Sequence, residues 1–406
     1  MPLDDAAVGF VLRLGRALHQ YGYTAHGLED ALSQVSTRLH LPGSQFFATP
    51  TSILAAFGPQ EKQQTHLIRL EPGDLNLGKL AEVSDVTDRV VAATMSPRDG
   101  SAQIDAIVAS PARYNRIVET LAYGLVSASA CRILGGGYGE IVMSSIVGLV
   151  TGLLAIGSRG VRDAITVFPF VASAIAAFLV NAVGAAGFSV STSITVLAGL
   201  VVLLPGLSLT LAMAELSSQH LIAGTARLAG AFTVFVGITF GVALGTQLAR
   251  LVVGAAPNLP VEPAPMSTLW IALFAAPIVF AVLLRARPRD IVAIVGVSIL
   301  GYAGAQLGAK LLGPQLGGGL GALTLAMASN LYERWTSHPA TVTLLPGVLL
   351  LVPGSIGFRS FSLLLEQQVV VGVDAAFTMT MTAISLVAGL LLANLLVSPK
   401  AGRHEG

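Results

Sequence analysis

The segment VVLLPGLSLTLAMAELSSQHLIAG around Pro205 returns 148 residues later (353 − 205) as LLLVPGSIGFRSFSLLLEQQVVVG around Pro353. Aligned without a gap, Leu204-Pro205-Gly206 falls on Val352-Pro353-Gly354, Gln219 on Gln367 and Gly224 on Gly372. Upstream, the same offset pairs Ser193 with Thr341, Thr195 with Thr343 and Gly199 with Gly347. Each copy lies in a long apolar stretch, where proline removes a backbone donor and clashes with the preceding turn, so the helical ladder breaks there. In lipid a broken ladder survives only where protein or a water-lined cavity satisfies the freed groups. Interrupted apolar segments at matching positions of two halves therefore point to a transporter with its site near the interruptions.

Composition agrees: 53% of the residues are hydrophobic and 11% charged, where about 25% charged is usual for a soluble domain. The charge is unevenly placed. Before about residue 113 acids and bases are as frequent as in a soluble fold, and beyond it apolar runs of membrane-crossing length begin. This predicts a small α+β domain over residues 1–112 followed by an α-helical polytopic membrane region. The net charge of +1 and the lack of a basic run exclude a nucleic-acid partner. Cys131 is the lone cysteine, so no intrachain disulfide can form. The start, MPLDDAAVGF, is acidic and lacks the basic region of a cleaved signal peptide. The expectation is that the N-terminal domain stays on the cytoplasmic side.

Apolar runs predict ten spans, at 115–134, 140–157, 164–187, 192–212, 226–250, 268–285, 290–311, 318–332, 340–357 and 371–397. With the N-terminal domain inside, the inner loops hold eleven Lys and Arg and the outer loops four, which favours both termini inside. Five spans per copy is odd, so the second copy enters the membrane from the opposite side. The expectation is two inverted five-helix repeats, 113–253 and 268–398, joined by an external linker over 254–267 that is rich in proline and small residues.

A break frees carbonyls above it and amides below it, and the partial positive charge on the lower half suits an anionic group such as a carboxylate. Pro205, Gly206, Pro353 and Gly354 are thus candidate substrate-binding positions, with Ser208 and Ser355 as hydroxyl donors. Asn181 and Asn330, deep in the preceding spans, would either line a hydrated passage or join helices. Arg359 is a candidate bidentate contact for a carboxylate. Carboxylates at membrane depth invite proton coupling, which makes Glu215, Glu366 and Asp374 candidates. Glu119 and Glu140 stand near span ends. Gly237, Gly241 and Gly245 form a small-residue stripe that lets helices pack closely, within the chain or in a homo-oligomer.

In the N-terminal domain the amphipathic run VGFVLRLGRALHQYG predicts a helix closed by Gly22, with another from Ala25 to Leu39. QFFATPTSILAAFG and THLIRLEPG read as two β-prone runs, followed by helices at 77–95 and 103–108. His19, His26, His40 and His66 share no metal-ligand spacing, and there is no G-x-S-x-G and no Ser/His/Asp set. No enzyme activity, cofactor or metal is expected. The other classes the chain admits are a passive channel and a membrane-anchored hydrolase.

LRLGRALHQYGYTAHGLEDAL, FATPTSI and LLPGLSLTLAMAEL followed by IAGTARL resemble the first part of the bacterial threonine/serine exporter family, and PATVTLLPGVLLLVPGSIGFRS its second part. The resemblance implies a ten-span carrier of the bacterial inner membrane with a cytoplasmic N-terminal domain. It further implies export of threonine and serine, or in related systems of a small dicarboxylate such as succinate, driven by the proton motive force. Leu211 and Glu215 stand where the family is expected to favour Asn and Asp, and the choice between these substrates stays open.

Overall fold

The structure is a computed structural model. It describes residues 4–398 apart from 71–74, 160–161, 256–261, 263, 337, 352–353 and 366. Pro353 and Glu366 therefore lie outside the described residues.

The N-terminal segment opens with α1 (Asp5–Gln20), whose first turn is capped by the Asp4 carboxylate accepting the Ala6 N–H at 2.9 Å. Val8, Val11, Leu14 and Leu18 recur at helical spacing and are buried. Thr24 caps α2 (Ala25–Arg38). The run read as one β-segment is a hairpin: β1 (Gln45–Thr49) turns at Pro50 into β2 (Ser52–Phe57). Proline has no N–H to give a ladder, and Thr49 Oγ1 accepts the Ser52 N–H at 3.1 Å to close the turn. β3 (Gln64–Arg69) pairs antiparallel with β2, giving the order β1-β2-β3. One face of this sheet, with Ala48, Ile53, Ala55, Phe57 and Ile68, is buried in the same apolar core as Phe10, Leu14 and Leu28.

Next come α3 (Leu77–Val91), capped by Asn76, and α4 (Pro97–Ala109). The latter begins six residues earlier than apolar periodicity indicates, because Pro97 suits the first helical position and Ser96 caps it.

His19 ties α1 to the hairpin, its Nε2–H donating to Thr49 O at 3.0 Å. Its Nδ1 is buried with no hydrogen-bond partner among the described residues. Burial holds its pKa below the ordinary 6.5, and Arg227 opposes protonation further. Because the folded value is the lower one, the unfolded chain takes up the proton first as pH falls, so this contribution is present above pH 6.5 and is lost on acidification. Melting followed in detergent should therefore drop between pH 7.5 and 5.5, and His19→Gln, which keeps the donor to Thr49, should flatten that dependence. An unchanged slope in the variant would place the titration elsewhere.

The rest of the chain is helical: α5 (Arg116–Ile133), α6 (Tyr138–Gly157), α7 (Arg162–Ala185), α8 (Thr192–Gly199), α9 (Gly206–Ser217), α10 (Leu221–Val253), α11 (Met266–Leu283), α12 (Ile291–Leu312), α13 (Pro314–Thr336), α14 (Thr341–Leu351), α15 (Gly354–Leu365) and α16 (Val369–Leu396). Among the described residues, seven stretches are long and apolar enough to cross a membrane: α6, 166–185 of α7, α10, α11, 288–312, 341–364 and α16. This is a multi-pass membrane protein.

The other three expected spans differ for physical reasons. Residues 192–212 do not form one helix, since α8 stops at Gly199 and α9 starts at Gly206. Arg116, Glu119 and Arg132 lower the apolarity of α5, which packs among α6, α8 and α11. Four glycines and the Glu333-Arg334 pair do the same to α13, which packs among α12, α14 and α16.

The duplication extends to backbone geometry. Gln219 and Gln367 both take left-handed conformations, with φ of 65° and 62°. The same paired bonds end α9 and α15: Gln219 N–H to Leu216 O and His220 N–H to Glu215 O, against Gln367 N–H to Leu364 O and Gln368 N–H to Leu363 O. This is the Schellman ending, here with glutamine at the left-handed position that glycine usually holds. In each copy a leucine, Leu216 or Leu364, lies over the glycine of the next helix, Gly224 or Gly372, so closely that a Cβ there would come within 2.7 or 2.8 Å of it.

The N-terminal segment is docked on these helices. Its core continues into Ala281, Leu284, Ile294 and Leu345. The Leu77 and Gly78 N–H groups at the start of α3 donate to Leu284 O and Arg285 O at the end of α11, at 2.9 and 3.1 Å. Tyr114 OH, just before α5, donates to Ala286 O at 2.9 Å. The start of α5 and the end of α11 thus lie on the same side, against the N-terminal segment.

Candidate functional site at the paired breaks

A cavity of about 670 Å³ lies where Gly206 and Gly354, at the starts of α9 and α15, come together. Its wall takes Glu119, Tyr123, Val126 and Ile133 from α5, Ala276 and Phe280 from α11, the turn Val201–Pro205, the first residues of α9 and α15, and Leu349 and Leu350 at the end of α14. From Glu119 to Ile133 the lining runs along about 21 Å of helix. The half-helices begin side by side: a Cβ built on Gly354 would lie 3.3 Å from Gly206 Cα and 3.5 Å from Gly206 N. Two glycines allow this approach because neither carries a side chain.

Pro205, Gly206, Ser208, Gly354 and Ser355 all line the cavity. The first intrahelical bond of α9 runs from Leu209 N–H to Pro205 O, at 2.9 Å. The amides of Gly206, Leu207 and Ser208 thus belong to the first turn, whose donors have no partner within the helix, and no side chain caps it. With the Ser208 and Ser355 hydroxyls they give the cavity a cluster of donors.

The remaining sequence candidates sit elsewhere. Asn181 Nδ2 donates to Ala177 O at 2.8 Å and to Thr246 Oγ1 at 3.3 Å, joining α7 to α10. Asn330 Nδ2 donates to Asn394 Oδ1 at 3.0 Å and Val397 O at 2.6 Å, joining α13 to α16. The structure places both in helix-to-helix contacts, not on the cavity wall. Gly241 and Gly245 of the small-residue stripe meet Phe170, Ser173 and Ala174 of α7, so they serve packing within the chain, while Gly237 meets nothing within 4 Å.

Glu215 is 1% exposed, yet it faces the N-terminal segment and not the cavity. Arg227 holds it bidentately, with Nε and Nη2 at 3.0 and 2.9 Å, and its Oε1 also accepts the Ala25 N–H at 3.2 Å. A carboxylate so paired, at the positive end of α2, is a docking contact. Beside it His220 Nε2 lies 3.3 Å from Glu29 Oε2. Arg359 and Asp374 are exposed on α15 and α16 and take no part in the cavity wall. Glu140 caps two helices at once, accepting the Gly137 and Ser191 N–H groups at 3.0 and 2.8 Å.

Sequence reading missed the charged group that does line the cavity. Arg159 Nη1 donates to Glu119 Oε2 at 2.7 Å, its Nη2 bonds Glu119 Oε1, and Arg285 Nη2 lies 3.8 Å from that same oxygen. All three residues are on the wall. The available signal was Glu119 itself, an acid one turn inside a span. The arginines carry no such mark, since both follow helix ends where loop arginines are ordinary.

Comparison with known families decides the kinship. A family model described as putative threonine/serine exporter matches residues 9–249, and a second, described as threonine/serine exporter, matches residues 269–396. The chain belongs to the threonine/serine exporter family. Among curated proteins this family member is similar to the pheromone-regulated membrane protein 10 of several yeasts. It is 28% identical to that of Eremothecium gossypii over 98% of this chain and 57% of the relative. For Zygosaccharomyces rouxii the figures are 27%, 98% and 43%, and for Saccharomyces cerevisiae strain YJM789 29%, 86% and 46%. The exporter-family chain thus spans about half the length of these relatives, and 36% of the one from Pichia sorbitophila. No solved structure matches it.

Proposed function

We propose that this chain is a secondary carrier that exports threonine and serine by alternating access, with its substrate held at the paired breaks. The observation that carries the reading is the meeting of two sequence-equivalent helix starts, Gly206 and Gly354, in one cavity. Carriers built from repeats bind at such interruptions, where half-helix amides face the ligand. Ten crossings in two inverted halves, 113–253 and 268–398, fit the side on which helix ends fall: α5 starts, and its counterpart α11 ends, against the N-terminal segment. Residues 1–112 would then form a cytoplasmic domain, both termini would be cytoplasmic, and lipid would cover faces bearing Phe240, Leu251, Val292 and Leu395. The membrane is the cytoplasmic membrane of a bacterium, and the driving force is the proton gradient.

A second reading, export of a small dicarboxylate, is favoured by one observation: the cavity carries two guanidinium groups and, among the described lining residues, one carboxylate. Counterflow in proteoliposomes tests both. With unlabelled threonine, serine or succinate inside, labelled substrate should accumulate transiently for threonine and serine, and an imposed pH gradient should increase the flux. Flux with succinate alone would select the second reading; flux that does not saturate and shows no counterflow would mean a channel.

A further inference from the structure

We propose that the groove between α11 and α12 binds one anionic phospholipid, its acyl chain lying along α12 and its phosphate on Lys310. Such a site needs only that these helices cross a membrane, and it is independent of what the central cavity carries.

The groove has a volume of about 360 Å³, far more than a packing void, which rarely exceeds a water molecule. α11 supplies Trp270 and Phe274, α12 supplies the row from Ile299 to Lys310, and Leu350 of α14 closes the floor. Trp270 and Phe274 are 60% and 51% exposed, and α11 and α12 are both long and apolar enough to span a bilayer. An apolar groove open on such a face meets acyl chains, because the bilayer core holds no water to fill it.

α11 ends and α12 begins beside the N-terminal segment, so the end of the groove at Trp270 and Lys310 lies toward the opposite membrane surface. From Ile299 to Lys310 the lining runs along about 16 Å of helix. This matches the roughly 15 Å that one leaflet adds to a hydrocarbon core of about 30 Å, so one chain of a lipid in that leaflet fits the groove end to end. Trp270 at the rim stands at the level where such rings settle, between headgroups and chains.

The chemistry of the rim selects the headgroup. Lys310, in the last turn of α12, is exposed, and the described lining residues of the groove include no carboxylate to neutralise it. Its four-carbon stem stays on apolar surface while the ammonium reaches the phosphate level. One turn below, Gln306 Nε2 donates to Tyr302 OH at 2.7 Å, which leaves its second N–H for an ester carbonyl. A cation above a neutral donor above an apolar channel is the order in which a phospholipid presents phosphate, ester and chain. A lipid with net negative charge gains over a zwitterionic one, because no ammonium of its own competes for the phosphate. Leu350 also lines the central cavity, so the seated chain backs the wall of that cavity on its membrane side.

Trp270 reports on the groove directly, since the chain's other tryptophan, Trp335, is 81% exposed on α13 and can be replaced. The full chain carrying Trp335→Phe is reconstituted in phosphatidylcholine vesicles with increasing fractions of phosphatidylglycerol or phosphatidylcholine brominated on the acyl chains, and quenching of Trp270 is followed. Half-maximal quenching should come at about fivefold less brominated phosphatidylglycerol than brominated phosphatidylcholine, the ratio that one elementary charge is worth near a membrane surface. Lys310→Gln should bring the two curves together. So should Ala303→Phe, which keeps the lysine and fills the groove from an exposed lining position. Coincident curves with Lys310 in place overturn the proposal, as does a preference that survives either substitution. A Trp270 that neither lipid quenches would mean that protein, such as a second copy of the chain, covers the groove, and would overturn it too. Should Trp335→Phe fail to fold, the preference is read from the phosphatidylglycerol and phosphatidylcholine retained by the unaltered chain in native mass spectrometry, where equal retention overturns it.

Discussion

Gly354→Leu is expected to bring transport to background while the protein still inserts and elutes as a single species in detergent. The starts of α9 and α15 touch at this position. A Cβ on Gly354 would sit 3.3 Å from Gly206 Cα, 3.4 Å from Leu204 Cβ and 3.5 Å from Gly206 N. Two of these three neighbours are backbone atoms of the opposite half-helix, which cannot swing away as a side-chain tip can. Alanine asks for a shift of a few tenths of an ångström and should reduce flux modestly. Leucine must displace α9 or fill the cavity, at an overpacking cost of about 1–3 kcal/mol. Gly230→Leu is the control, because nothing lies within 4 Å of a Cβ there. Near wild-type counterflow by Gly354→Leu would remove the breaks from the substrate path.

The largest effect on stability should come from Glu215→Ala. The Glu215 carboxylate is 1% exposed and holds both Arg227 and the first N–H of α2. Its removal leaves the Arg227 guanidinium without this counter-charge and a helix donor without its acceptor. Breaking a buried pair in this way costs about 3–5 kcal/mol, and the 24% exposure of Arg227 places the loss toward the lower end. Melting should fall by several degrees, and limited proteolysis should cut residues 4–109 first, since the contact holds that segment on α9 and α10. Glu215→Leu combined with Arg227→Leu should recover much of the stability, because two apolar side chains leave no uncompensated charge. Wild-type melting of Glu215→Ala would mean that the segment is held by α3 and its bonds to α11 alone.

The two cases also show what could be read from the residues in order. Pro169, Pro277 and Pro346 stay inside their helices, so proline alone does not make a break; where one forms, at Pro205-Gly206, proline acts on its own turn, a local effect that needs no partner. The same holds for the helix caps at Asp4, Thr24, Asn76 and Ser96, each of which bonds within three residues of itself. Glu215 was a candidate for proton coupling because an acid in an apolar run has no visible counter-charge. Its partners lie 12 and 190 positions away, and only folding brings them together. Asn181 and Asn330 show the same limit from the other side: an amide in a span signals that something must satisfy it, without telling a neighbouring helix from a ligand.

By itself, then, the sequence determined the duplication, the apolar helices, the break before Gly206 and the amphipathic N-terminal elements, all consequences of local stereochemistry and of apolar surface that must leave water. The tertiary structure alone decided that the breaks meet, that Ser208 and Ser355 face one cavity, and that Glu119, Arg159 and Arg285 converge on its wall. The reason is physical: a helix break says where a chain can bend, but which charges end up within 4 Å of each other depends on how helices distant in sequence pack, and that is settled only when all of them do.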